Sequence, residues 1–115
     1  MNERLGWIER ELGVPLPEAL RSLYETSDGR FDEEGQWWVV WPLDRLVGEN
    51  TDAWRQGLLP STLVAFGDAG TGNPFCVEVG NTSSEVLRWS WIDLAVERSE
   101  GSMDQFIAEW CSETT

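Results

Sequence analysis

Apolar residues at the start of the chain recur at helical spacing. Leu5, Ile8 and Leu12 fall three and four apart, which predicts an amphipathic helix over residues 2–12 that Gly13 terminates. Val14-Pro15-Leu16-Pro17 reads as a stiff extended link, after which Leu20, Leu23 and Tyr24 form the stripe of a second helix ended by Asp28-Gly29. Residues 30–36 are a polar, acidic turn. Trp37-Trp38-Val39-Val40-Trp41 then predicts a strand, because aromatic and β-branched residues suit a pleated surface. Alternation sets Trp37, Val39 and Trp41 on one face and Trp38 and Val40 on the other.

Pro42 stops that strand, and Leu43, Leu46 and Val47 predict a single helical turn before a loop over residues 48–57. Leu63 to Phe66 reads as a short buried strand. Phe75 to Val79 and Val86 to Trp91 alternate as two more, and Gly- and Asn-rich turns between them favour an antiparallel meander. Ser102-Met103-Asp104-Gln105 is a capping box that opens a closing helix, with Met103, Phe106, Ile107 and Trp110 on its inner face. Without internal repeats or low-complexity tracts, this order predicts one α+β domain over residues 1–115: a mainly antiparallel sheet, flanked by N-terminal helices and a closing C-terminal helix.

Composition adds the electrostatic character. The 115 residues carry 21 Asp and Glu against eight basic residues, all Arg, for a net charge of −13 with no Lys and no His. Such a charge repels phosphate backbones and anionic lipid, so neither nucleic acid nor a membrane surface is an expected partner; a basic protein is. Hydrophobic content of 41%, including eight Trp, supplies a core without staples. Residues 1–10 lack the continuous apolar run of a signal peptide, which predicts a cytoplasmic protein. Cys76 and Cys111 are then read as reduced, space-filling thiols. Nothing in the composition sets an oligomeric state.

The same composition disfavours catalysis. Without His the commonest general base is missing, and without Lys there is no Schiff-base nucleophile or phosphate-clamping ammonium. Residues 67–73, Gly-Asp-Ala-Gly-Thr-Gly-Asn, superficially resemble a phosphate-cradling loop. They lack the Gly-Lys-Ser/Thr ending and are followed by a strand rather than a helix, so they read as a tight turn held by glycines and Asp68. Residues 28–35 lack the ligand spacing of a calcium loop. No catalytic residue, metal or cofactor is expected. Binding is expected instead where three successive acids precede an indole-rich strand: Asp32, Glu33, Glu34 and Trp38, joined by Asp52 and Trp54, form the candidate partner surface. Indoles there would supply desolvated area while carboxylates pair with Lys or Arg.

Taken in order, these segments resemble the SUKH superfamily. Leu12-Gly13-Val14-Pro15-Leu16-Pro17 followed by Leu20, Leu23, Tyr24 and Asp28-Gly29 looks like its opening signature of helix, LP link and second helix. Trp38 through Pro42-Leu43 and Leu46 to Asn50 is similar to its central strand and following segment. Phe66-Gly67-Asp68 through Gly70, Gly72, Phe75 and Cys76-Val77 resembles its glycine hairpin, and Ser102, Phe106, Ile107 and Trp110 its closing helix. The resemblance implies an α+β fold without catalytic residues. In bacteria it implies an immunity protein that neutralises a polymorphic toxin, frequently a nuclease; the alternative is a regulatory adaptor in cell-wall or signalling assemblies, like the yeast members. Because members bind different partners through variable surfaces, the resemblance transfers no interface residue.

Overall fold

A computed structural model describes residues 3–26, 30–31, 38–68, 70, 73–79 and 85–110. The first helix, α1 (Glu3–Leu12), buries Leu5, Ile8 and Leu12, and Gly13 ends it at φ 78° with its N–H donated to Glu9 O at 2.9 Å. The link that follows is tied back to that helix, since Leu16 N–H donates to Glu9 Oε2 at 2.7 Å. Pro17 lacks a donor, but its carbonyl accepts Leu20 N–H and Arg21 N–H at 3.0 Å each, starting α2 (Glu18–Thr26). Leu20, Leu23 and Tyr24 are all buried, and the Tyr24 hydroxyl donates to Trp41 O at 2.5 Å. The expected stop at Asp28-Gly29 lies outside the described residues.

The tryptophan strand does not join the main sheet. Its described part, β2 (Trp38–Val40), pairs antiparallel with β1 (Arg30–Phe31) as a separate two-stranded ribbon. Val39, Val40 and Trp41 are all buried, so both faces of the run are covered from Val39 onward. A crossing of chains explains this: a Cβ placed on Gly67 would sit 1.7 Å from Val39 O, so β2 lies directly on the backbone at Gly67.

After Pro42, α3 (Leu43–Arg55) runs for 13 residues, which corrects the expected single turn and loop over residues 48–57. Leu43, Leu46, Asn50 and Ala53 form its buried stripe at spacings of three and four. One member of that stripe is polar, and Gly48 interrupts the helix formers, so propensity alone favoured a loop; packing against α1 and the sheet overrides it.

The main sheet has the antiparallel order β3-β4-β5-β6, formed by β3 (Leu63–Asp68), β4 (Pro74–Glu78), β5 (Glu85–Ser90) and β6 (Ala95–Ser102). The first three are the expected meander. The fourth was not expected. Leu63 to Phe66 and Phe75 to Val77 are buried without a break, so both faces of this half of the sheet are covered. Between β3 and β4, Asp68 Oδ1 accepts Gly70 N–H at 2.6 Å while Gly70 takes φ 85°, as expected for a tight turn; residues 69, 71 and 72 lie outside the described set.

The capping box closes reciprocally. Gln105 N–H donates to Ser102 Oγ at 3.2 Å and Ser102 N–H to Gln105 Oε1 at 2.9 Å, opening α4 (Met103–Trp110). Phe106 is fully buried and meets Phe75 and Phe66 edge-on at 4.6 Å and 5.5 Å between ring centroids. The side chain of Trp110 lies outside the described set.

Candidate functional site

The open edge of β3 is occupied by other parts of the chain. Trp41 N–H donates to Phe66 O at 2.7 Å, and the Trp54 indole N–H donates to Leu63 O at 3.0 Å. Between them Asn50, with no solvent exposure, pairs with Ala65 as a strand residue would: its Oδ1 accepts Ala65 N–H at 2.7 Å and its Nδ2 donates to Ala65 O at 2.8 Å. Nδ2 also donates to Leu46 O at 2.9 Å, so the amide bonds helix and sheet together. These contacts blunt the edge against pairing with another chain.

Two of the expected partner-binding residues sit on α3. Asp52 is exposed, 4.0 Å from Arg55, whereas Trp54 is half-buried with its N–H committed to β3. Residues two apart on a helix are separated by about 200°, so the two point to different sides. Trp38 is described by its backbone in β2, while Asp32, Glu33 and Glu34 lie outside the described residues.

The far edge, β6, carries features that sequence reasoning missed. Its register against β5 skips Glu97 and Glu100: Trp89 faces Val96 and Arg88 faces Arg98, then Leu87 faces Ser99 and Val86 faces Gly101. Both bulged acids reach Arg88, at 3.6 Å from Glu97 and 2.7 Å from the buried Glu100, which also lies 3.5 Å from Arg98. Arg88 lies over the Phe75 ring at 5.8 Å. The network therefore fixes an irregular, charged edge. Beyond it, Ile92, Leu94 and Val96 stand exposed. A sequence signal did exist in the alternation Ile92-Asp93-Leu94, which reads equally as core.

This arrangement offers little for chemistry. Cys76 is fully buried, which pushes its thiol far above the usual range and keeps it protonated. Among the described residues, no cluster of three or more His, Cys, Asp or Glu is placed to hold a metal ion, and no helix is long and apolar enough to cross a membrane. What the surface does offer is acidic charge and exposed apolar side chains.

Comparison with known proteins agrees with the motif order. No curated protein matches the chain. The family model for SMI1 / KNR4 (SUKH-1) matches residues 2–109, a span that takes in the LP link, Gly67 beneath β2, the Asn50 clasp and all but the last residue of α4. The chain belongs to the SMI1 / KNR4 family (SUKH-1).

Proposed function

We propose that this protein is an immunity protein: a cytoplasmic, non-enzymatic domain that binds a cationic toxin domain and occludes it. The observation that carries the reading is the pairing of membership in a family that includes toxin-immunity proteins with a net charge of −13 on 115 residues. A toxin that grips RNA or DNA has a basic substrate groove, and carboxylates set against it occupy phosphate positions. Asp32, Glu33 and Glu34, which shortly precede Trp38 in the sequence, supply that charge. Asp52 extends it from the exposed side of α3, whereas Trp54, bonded to β3 on another side of that helix, is not part of that surface.

Co-expression tests this. A large secreted protein encoded beside this gene, with a variable C-terminal domain, is the expected toxin. That domain should arrest growth alone and permit growth when this chain is present, through a one-to-one complex. Continued arrest despite soluble protein would reject the immunity reading and favour the regulatory adaptor, the other role found in the family.

A further inference from the structure

The hairpin between β5 and β6 is built as a rigid apolar knob. Its turn, residues 91–94, is closed on the buried Ser90: Leu94 N–H donates to Ser90 O at 2.8 Å and Asp93 N–H to Ser90 Oγ at 3.1 Å. Trp91 N–H donates to Asn73 Oδ1 at 3.2 Å, tying the turn to the start of β4. On this frame Ile92 is 91% exposed, Leu94 47% and Val96 47%. Behind them Trp89 faces Val96 and donates its indole N–H to Leu58 O at 2.9 Å, and Leu58 is itself exposed. The exposed apolar surface of the hairpin is therefore that of Ile92, Leu94 and Val96, carried on the buried Trp89.

Leu94 holds φ 52°, the one left-handed non-glycine among the described residues. Glycine or asparagine adopts that conformation freely, whereas a leucine there is strained and in this turn buries only half of its side chain. Folding gains little from Ile92 or Leu94. A preordered turn, by contrast, loses little entropy when its apolar residues enter a pocket.

We propose that this hairpin tip is the apolar anchor for the partner. Ile92 and Leu94 insert into an apolar pocket of a cationic protein, while the exposed Asp93 and Glu97 meet Arg or Lys at its rim. Charge selects that occupant over a second copy, because two chains of −13 would bring four of these acids together. Strand addition at β6 is blocked by the bulges at Glu97 and Glu100. The inference rests on the toxin-binding reading and names where the partner is gripped.

The test titrates an inactivated form of the adjacent toxin domain with wild type, Ile92→Ser and Leu94→Gly. Both side chains are exposed, and glycine accepts the Leu94 backbone, so thermal midpoints should stay within a few degrees of wild type. Each variant should weaken binding at least about tenfold, mainly through faster dissociation. Wild-type affinity in both folded variants would overturn the anchor and leave the toxin reading standing. A wild type that does not bind would remove both. A wild type that sediments as a dimer, which Ile92→Ser dissociates, would make the tip a self-interface and overturn the proposal.

Discussion

Replacing Asn50 tests how the edge of β3 is held. Its amide satisfies Ala65 N–H and Ala65 O, and Ala65 is only 2% exposed, so Asn50→Ala leaves a backbone donor and acceptor buried without partners. Each such loss costs about 1–3 kcal/mol, and the amide-sized void adds to it, for a total of about 3–5 kcal/mol. That is at least about a fifth of a typical domain's stability of roughly 5–15 kcal/mol, readable as a lower urea midpoint. Asn50→Asp is the sharper probe. The introduced carboxyl can still accept Ala65 N–H, but when ionised it faces the carbonyl oxygens of Ala65 and Leu46 in a dry site. Its folded pKa therefore lies above the unfolded value of about 3.9. The folded state then holds the proton more tightly than the unfolded state. Relative to wild type, the deficit is smallest near and below pH 4, where the neutral acid can donate as the amide does, and it grows as pH rises to the folded pKa. Urea titrations at pH 4.5 and 7.5 measure that difference. An alanine variant within about 1 kcal/mol of wild type, or an aspartate deficit independent of pH, would refute the clasp.

Gly67→Ala should destabilise by at least about 3 kcal/mol or prevent folding, seen by circular dichroism and urea melts, because the new methyl would sit 1.7 Å from Val39 O. Phe106→Ala empties a fully buried site between two aromatic rings and should cost about 3–5 kcal/mol, while an unmoved midpoint would mean α4 is not docked on β3 and β4. Iodoacetamide at pH 8 should leave Cys76 unmodified in the native protein and label it on unfolding, as peptide mapping would record; native labelling would contradict its burial and raised pKa.

These tests fall on features of differing legibility. Leu5, Ile8 and Leu12, the capping box at Ser102 and the strands around Phe66, Phe75 and Trp89 obey simple periods, and each forms where its pattern predicts. α3 was hidden because its stripe contains Asn50, a residue that reads as a loop signal until the sheet edge it clasps is known. β6 was hidden because bulges at Glu97 and Glu100 break the two-residue alternation, and five residues in succession, Ala95 to Ser99, are exposed. The fate of individual indoles depended on topology. Trp41 is buried because β2 crosses β3, and Trp54 spends its N–H on Leu63 O, neither of which is written in local pattern. The apolar tip at Ile92 and Leu94 was illegible for the opposite reason, since exposed and buried hydrophobic residues look alike in a sequence.

The central claim is electrostatic capture of a basic protein, and association kinetics test it most directly. Rates with the inactivated toxin domain should be measured at 50 and 300 mM salt for wild type and for the triple variant Asp32→Lys, Glu33→Lys, Glu34→Lys, whose fold is checked by circular dichroism. Wild-type association should be fast and slow down with salt, because exposed charges are screened beyond about 8 Å at physiological ionic strength. The triple variant should associate at least about tenfold more slowly at low salt. Equal rates in a folded triple variant, or a cognate partner that proved acidic, would contradict the account.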